Sequence, residues 1–265
     1  MQIALLGCGW LGLPLAEACI AEGYKVYGTT TSPEKENILE KAGIRPFRIE
    51  ILENGIQGSI NKLLKGTDVL IVNIPPRLRR SNAGNFVEKT RHIADAAEKN
   101  GIEKILFVSS TSVFGDKQSE VTENTVPHPE TESGKQLLAS EQLLYNSRKF
   151  RTTILRFAGL IGEDRHPVHH LAGKKELKNP DAPVNLIHRD DCIGIITTIL
   201  KQEKWGETYN AAYPDHPARK DYYPRKAKAC GLPLPEFDES PSGGKIITSG
   251  KLVRDLGYTF RFPIA

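Results

Sequence analysis

The sequence has few cysteines and none of the cysteine spacings that disulfide frameworks or zinc modules require. Its four cysteines (Cys8, Cys19, Cys192 and Cys230) are scattered along 265 residues, without a CxxC pair or a His-rich partner spacing. Small secreted scaffolds and zinc modules depend on such spacings. We therefore expect reduced thiols, a cytoplasmic protein and no metal site.

A membrane-spanning run is also missing. The most apolar stretch, Ile3–Ile20, is interrupted by Glu17, and no basic segment of the kind that opens a signal peptide precedes Leu5–Cys8. A spanning helix needs about 20 consecutive apolar residues. We expect no membrane partner.

Neither sign of charge is in strong excess. The chain carries 36 Lys and Arg against 32 Asp and Glu, a net charge of +4, and the two signs are interleaved. The dense basic run Arg77-Leu78-Arg79-Arg80 is explained more simply by a solvated loop than by a nucleic-acid surface. No nucleic-acid partner is expected.

What the sequence does have is a regular alternation of strand and helix signals. Apolar and β-branched runs predict strands over 2–6, 25–29, 45–50, 68–73, 104–109 and 151–157, and helical spacing predicts helices over 11–21, 33–42, 86–100, 132–148 and 190–201. Strands that alternate with helices of about a dozen residues are typical of a parallel sheet with crossover helices. This pattern predicts an α/β protein with a Rossmann-type, doubly wound parallel sheet.

The composition and the pattern of the sequence change after Phe157. Residues 159–185 and 204–265 hold most of the remaining Pro, Gly and Tyr, in short and irregular segments. We predict a Rossmann domain over 1–158, to which 186–203 returns. Residues 159–185 and 204–265 are predicted to form a small C-terminal substrate-binding region.

A glycine-rich segment directly follows the first predicted strand and opens the first predicted helix. It reads Gly7-Cys8-Gly9-Trp10-Leu11-Gly12. In a dinucleotide site the first glycine permits a tight turn, the second lets the backbone approach the pyrophosphate, and the third lets helix and strand pack closely. The alternative is a glycine turn without a ligand. We predict NAD(P) contacts at Gly7, Gly9, Trp10, Leu11 and Gly12.

The end of the second strand lacks the carboxylate that NAD-preferring sites place on the ribose 2′-hydroxyl. It reads Gly28-Thr29-Thr30-Thr31-Ser32, with Lys35 just beyond. We therefore predict cofactor contacts at Thr29, Thr30 and Thr31 and favour NADP over NAD. The alternative is that these threonines only end the strand and cap the next helix.

The turn Asn73-Ile74-Pro75-Pro76 follows the fourth predicted strand. Because the carboxyl ends of parallel strands line the ligand crevice, we predict cofactor contacts at Asn73 and Pro75. Arg77, Arg79 and Arg80 would add positive electrostatic potential there; the simpler alternative is that they lie in a solvated loop.

Three further segments carry a resemblance to a known family. They are Val108–Gly115, Leu155–Gly162 and Asn185–Asp191, which are similar to the signatures "SSxxVYG", "RxxxxYGP" and "IHxxD". With the glycine loop in the same order, the chain resembles the extended short-chain dehydrogenase/reductase superfamily, in its atypical, YeeZ-type branch of epimerase/dehydratase-like proteins. The resemblance implies an NAD(P) cofactor and a small-molecule substrate such as a nucleotide-sugar.

The same resemblance implies where catalysis would take place, and it also exposes a gap. Family members use a Ser or Thr that orients the substrate and a YxxxK pair on the next helix for acid/base work. Ser110 matches the first position, but the tyrosine position is Ser133 and the lysine position is Leu137. Ser110 would orient the substrate, Ser133 would relay a proton through water, and Thr111 and Ser112 would contact the substrate.

Two literal YxxxK matches, Tyr145–Lys149 and Tyr222–Lys226, are better explained as coincidences. The first lies twelve residues beyond Ser133, roughly 18 Å farther along a helix axis, and the second lies in the predicted small region.

The segment Glu163–His170 contains Arg165 and three histidines, His166, His169 and His170. By resemblance it borders the substrate cleft, so Arg165 and His166 are predicted substrate contacts, with a solvated loop about equally plausible. No ligand of suitable spacing supports a metal site, and Asp190 and Asp191 are expected to cap the following helix.

Two functions remain open on the sequence alone. The first is an atypical NAD(P)-dependent reductase or epimerase, and the second is a non-catalytic NAD(P)-binding sensor or regulator. The missing Tyr-Lys pair favours the second function, and the elaborate second region favours the first. The oligomeric state is left open.

Overall fold

The computed structural model of the protein describes residues 1–76, 84–241 and 243–264. The predicted field of Arg77, Arg79 and Arg80 therefore lies outside the described residues. In chain order the strands are β1 (Gln2–Leu6), β2 (Lys25–Thr30), β3 (Arg45–Arg48), β4 (Glu50–Leu52), β5 (Gly55–Gln57), β6 (Val69–Val72), β7 (Lys104–Ser110), β8 (Glu120–Val121), β9 (Arg151–Phe157), β10 (Gly159–Ile161), β11 (Leu186–His188), β12 (Thr208–Ala211) and β13 (Ile246–Ile247).

The helices alternate with the longer strands, as the sequence predicts. They are α1 (Gly12–Ala21), α2 (Glu36–Lys41), α3 (Ile60–Leu64), α4 (Phe86–Lys99), α5 (Glu132–Tyr145), α6 (Val168–Leu171), α7 (Arg189–Gln202), α8 (Arg219–Ala229) and α9 (Gly250–Leu256), with single 3₁₀ turns at Pro33–Lys35 and Thr111–Val113. No helix within the described ranges is both long and apolar enough to cross a bilayer.

The seven main strands form one sheet in the order β12-β9-β7-β6-β1-β2-β3. The pairs of β1 with β2 and β6, of β2 with β3, and of β6 with β7 are all parallel. The chain builds outward from β1 through β2 to β3, and then returns to place β6 on the other side of β1. The prediction of a Rossmann-type, doubly wound parallel sheet is confirmed.

The central strands are buried along their whole length. All four residues of β6, Val69–Val72, are fully buried, as expected where helices cover both faces of a parallel sheet. Two of the covering helices begin with side-chain caps that satisfy backbone N–H groups. Asn85 Oδ1 accepts from the Val87 amide at 2.9 Å before α4, and Thr131 Oγ1 accepts from the Gly134 amide at 3.1 Å before α5.

The chain divides into two compact units. The first comprises Met1–Ser110, Thr131–Arg156 and Ile196–Thr208, and the second comprises Thr111–Glu130, Phe157–Ile195 and Tyr209–Ala265. The segment Thr111–Glu130 thus belongs with the second unit, whereas the sequence division keeps it with the Rossmann domain. The sequence also missed β12 as a strand of the main sheet. The predicted assignment of a substrate-binding role to the second region stays a prediction.

A buried carboxylate organises the end of the second unit. Asp191, in the first turn of α7, accepts hydrogen bonds from the Tyr258 hydroxyl at 2.9 Å and from the amides of Arg261 and Phe262 at 2.9 and 3.1 Å. The sequence predicted only a helix cap at this position. Its carboxylate instead holds the C-terminal segment, because three donors converge on it where it is shielded from water.

Candidate functional site

The loops that follow β1 and β6 meet at the point where the strand order reverses. Such a switch point is where open α/β sheets bind ligands. Asn73, just beyond β6, donates from Nδ2 to the Gly7 carbonyl oxygen at 3.0 Å, and the Gly7 amide donates to Thr29 Oγ1 at 2.8 Å. Side chains from both sides of β1, Thr29 of β2 and Asn73 just beyond β6, therefore hold the amide and the carbonyl group of Gly7.

The three glycines of the loop differ in the space around them. Gly7 has φ +100°, and a Cβ added there would lie 2.5 Å from the Asn73 carbonyl oxygen; a Cβ at Gly12 would lie 2.0 Å from the Gly7 carbonyl oxygen. Among the described residues other than its chain neighbours, none has an atom within 4 Å of a Cβ added at Gly9. The loop therefore has a tight turn at Gly7 and a close contact with the helix at Gly12, with open space between them at Gly9.

The N-terminus of α1 opens directly from this loop. Within the described ranges no side chain caps it, and no acidic residue lies in its first turn. The partial positive charge of the helix end is therefore left for an anion from outside the chain. Trp10 is half-buried and Leu11 is buried at the start of the helix. Open space at Gly9 and an uncapped helix terminus fit the pyrophosphate of a dinucleotide.

Gly28 is a further residue of this region that sequence reasoning missed. A Cβ at Gly28 would lie 2.4 Å from Cys8 Sγ, because Cys8 packs directly on β2 and its amide donates to the Thr29 carbonyl oxygen at 3.0 Å. Burial raises the pKa of the Cys8 thiol to about 12. A glycine inside an otherwise β-branched strand was the available signal, since it often marks a close approach.

The three threonines at the end of β2 are not equivalent. Thr29 and Thr30 are buried; Thr29 holds the Gly7 amide, and Thr30 Oγ1 accepts from the Ser32 amide at 3.1 Å. Thr31 is exposed and lines a pocket of about 600 Å³. Cofactor contact by these residues and by the exposed Pro75 stays a prediction, and Thr31 has the most accessible hydroxyl of the three.

The predicted catalytic residues lie at two element ends of the first unit. Ser110 is the last residue of β7, and Ser133 lies in the first turn of α5; both are half-buried. Leu137, at the family's lysine position, is only 4% exposed. On the predicted alignment, a small hydroxyl and an apolar side chain take the places of the tyrosine and the lysine, and this part of the site stays a prediction. In the second unit, Thr111 is buried and Ser112 is half-buried in the 3₁₀ turn.

Next to Ser110 lies a buried ionic cluster that sequence reasoning also missed. Ser109 Oγ donates to Glu141 Oε1 at 2.6 Å, and Arg156 donates to both oxygens of Glu141, with its shortest contact at 2.6 Å. All three residues are buried. The cluster ties the end of β7 to α5, the two elements that carry the predicted catalytic residues, and to β9.

The two literal YxxxK matches have structural surroundings of their own. Tyr145 is the last residue of α5, and its hydroxyl donates to the Gly206 carbonyl oxygen at 3.3 Å. Tyr222 is buried in the second unit, where its hydroxyl donates to the Ile264 carbonyl oxygen at 2.6 Å and burial raises its pKa. Neither tyrosine is at the start of α5, where the family places its own.

Of the two substrate contacts predicted in the segment Glu163–His170, Arg165 is exposed and His166 is buried. His166 Nδ1 accepts from the Val168 amide at 3.1 Å, and Nε2 lies 2.9 Å from the Tyr222 hydroxyl. Burial lowers the pKa of His166 to about 4, with nearby Lys226 adding to the effect. The ring therefore helps to hold the C-terminus, and its contact with substrate stays a prediction. Within the described ranges, no three His, Cys, Asp or Glu side chains are grouped to hold a metal ion.

Fold and loop together define a dinucleotide-binding protein, and comparison with known proteins agrees. Residues 7–203 match the NAD(P)H-binding family, and the chain belongs to that family.

Among individual proteins, the chain is 37% identical over 269 residues to Protein YeeZ of Escherichia coli K12, covering 99% of this chain and 96% of YeeZ. Two solved structures share its fold at 20% identity and a TM-score of 0.81. One is UDP-glucuronic acid 4-epimerase from Bacillus cereus in complex with NAD (99% of this chain, 92% of that one). The other is a short-chain dehydrogenase/reductase superfamily protein from Agrobacterium tumefaciens with bound NAD (99% and 93%). The predicted family resemblance is confirmed.

Proposed function

We propose that the protein is an NADP-preferring, atypical extended reductase or epimerase that acts on a nucleotide-sugar or another small hydroxyl- or carbonyl-bearing substrate. The observation that carries the proposal is the glycine loop at the switch point, where Gly7 and Gly12 are closely packed and Gly9 is open. Four free cysteines, three of them buried, support a cytoplasmic location.

Different residues of the first unit would hold different parts of the cofactor. Gly7, Gly9 and Gly12, with the uncapped N-terminus of α1, would hold the pyrophosphate. Thr31 would face the ribose, and the absence of a carboxylate at the end of β2 favours NADP. A bound nicotinamide accepts or donates a hydride.

Ser110 is the residue that would orient the reacting oxygen of the substrate. The hydroxyl of Ser133 does not titrate near neutral pH, so it would pass a proton only by way of water. General acid/base catalysis by a positioned group supplies about 10²–10⁴-fold. We therefore expect carbonyl reduction slower, by roughly that factor, than in a member with the Tyr-Lys pair.

The nucleotide-sugar part of the proposal is supported by the fold shared with UDP-glucuronic acid 4-epimerase and by the exposed Arg165 of the second unit. A guanidinium binds phosphate oxygens in pairs. The second candidate function is a non-catalytic NAD(P) sensor. The observation that favours it is Leu137, whose buried apolar side chain stands where a lysine would lower the pKa of the catalytic group.

The test is turnover of NADPH, NADH and their oxidised forms with UDP-glucose, UDP-glucuronic acid and simple ketones, followed by absorbance. Ser110→Ala should abolish the slow activity. Tyr145→Phe, at the last residue of α5, is the control and should leave the activity unchanged. The reverse result would show that the alignment of α5 is wrong.

Restoring the pair as Ser133→Tyr with Leu137→Lys should raise the rate. Because Leu137 is buried, folding of the double variant is checked by circular dichroism, and Ser133→Tyr alone serves as the second variant. Turnover at ordinary family rates by the unmodified protein would contradict the reading of the site. Cofactor binding without turnover, before and after restoration, would favour the sensor.

A further inference from the structure

A pocket of about 600 Å³ opens at the carboxyl ends of β2 and β3 in the first unit. Its size is in the range of small-molecule sites. Thr31 lines it beside two cations, Arg48 and Lys62, and two carboxylates, Glu36 and Glu50. The ribose of a dinucleotide is read at the end of the second strand of such a sheet, so the pocket adjoins the position of the ribose 2′ substituent.

Of the two cations that line the pocket, Arg48 lies on the strand that pairs with β2. It is the last residue of β3, and it pairs in register with Thr30, the last residue of β2. Its side chain is 63% exposed. Thr30 itself is buried and bonded to Ser32. The end of β3 therefore places an exposed cation in the lining of the pocket that Thr31 also lines.

The partner of Arg48 in the structure is weakly held. Arg48 Nε lies 3.7 Å from Glu36 Oε1, and the Glu36 side chain is 37% exposed. An exposed ion pair at this distance contributes little to stability, because water screens both charges. Arg48 can therefore leave Glu36 for a more highly charged anion at a small cost in free energy.

We propose that Arg48 selects the phosphorylated dinucleotide, by leaving Glu36 and pairing with the 2′-phosphate of the adenosine ribose in this pocket. The inference rests on the proposed dinucleotide site. A guanidinium matches phosphate geometry with two parallel hydrogen bonds. Without Arg48, the lining would hold two carboxylates, Glu36 and Glu50, against the cation Lys62, so the selectivity depends on Arg48 rather than on the absence of carboxylate alone.

Arg45 provides a matched control on the same strand. It is exposed like Arg48, and it lies at the amino end of β3, where its guanidinium donates to the Tyr27 hydroxyl at 3.2 Å. Removing Arg45 changes the net charge of the protein by the same amount as removing Arg48. A difference between the two variants therefore reports position rather than charge.

The test is calorimetric titration of the full chain with NADP and NAD at one fixed ionic strength. Loss of a charge-assisted contact predicts that Arg48→Ala weakens NADP by roughly ten- to a hundredfold and leaves NAD within about twofold, whereas Arg45→Ala changes neither. Glu36→Gln should tighten NADP, because the competing carboxylate is gone, and leave NAD unchanged.

Two results would overturn the inference: equal loss of NADP and NAD affinity in Arg48→Ala, or no loss of either. In both cases, binding of the dinucleotides by the unmodified protein would leave the proposed function standing. Failure of the unmodified protein to bind either dinucleotide would instead refute the proposed function itself.

Discussion

Gly9 and Gly12 offer a pair of substitutions that separates cofactor binding from folding. A Cβ at Gly9 has no atom within 4 Å from the part of the chain that the structure describes, its chain neighbours aside, whereas a Cβ at Gly12 would lie 2.0 Å from the Gly7 carbonyl oxygen. Gly9→Ala should therefore fold normally and gain a little stability, because alanine restricts the unfolded chain. Gly12→Ala must move α1 away from the loop, and overpacking of this kind costs about 1–3 kcal/mol.

The two substitutions predict different patterns in thermal unfolding. For a chain of this size each kcal/mol shifts Tm by about 2–4 °C, so Gly12→Ala should lower Tm by roughly 2–12 °C without ligand. A dinucleotide at a hundred times its Kd adds about 2.7 kcal/mol, which predicts a rise of about 5–11 °C in the unmodified protein. A hundredfold weaker ligand would add only about 0.4 kcal/mol, or about 1–2 °C.

The assay is differential scanning fluorimetry with NADP and with NAD. Without ligand, Gly9→Ala should have a Tm equal to or slightly above that of the unmodified protein. It should lose most of the ligand-induced shift, because its methyl group occupies the approach to the pyrophosphate. Gly9→Asp should lose the shift completely, since its carboxylate repels the phosphates. If both variants keep the full shift, or if the unmodified protein shows none, the loop does not bind the dinucleotide.

Three further predictions follow from buried groups. Because burial lowers the pKa of His166 to about 4, the unfolded chain takes up the proton first, and stability is lost as pH falls from about 6.5 to 4. The urea midpoint of His166→Gln should respond less to pH in that window, and an equal response would contradict the assignment. Glu141→Gln should destabilise by about 3–5 kcal/mol, because it leaves Arg156 buried without its counter-charge; a change under about 1 kcal/mol in urea unfolding would show that water reaches the pair. Iodoacetamide followed by mass spectrometry should label the exposed Cys230 and spare Cys8, whose pKa burial raises to about 12, and equal labelling would refute the buried position of Cys8.

The alternation of strands and helices, and the glycine loop, could be predicted from the sequence because both are local. A β-branched run such as Val69–Val72 suits a strand covered on both faces wherever it lies in the fold. The spacing of Gly7, Gly9 and Gly12 is set by the tight turn that joins the first strand to the first helix, so it can be seen in six consecutive residues. The predicted gap at Ser133 and Leu137 likewise depends on one continuous helical segment, and it stays a prediction.

The contacts between elements around the candidate site could not be predicted in this way. Thr29, Thr30 and Thr31 are alike as a sequence, and only the fold buries the first two and leaves the third on a pocket. Glu141 meets Ser109 from 32 residues away, and Arg48 lies beside Thr30 because β3 pairs with β2. Local patterns determine which elements form, but the pairing of charges and hydroxyls between elements depends on sheet order and register, which only the tertiary structure decided.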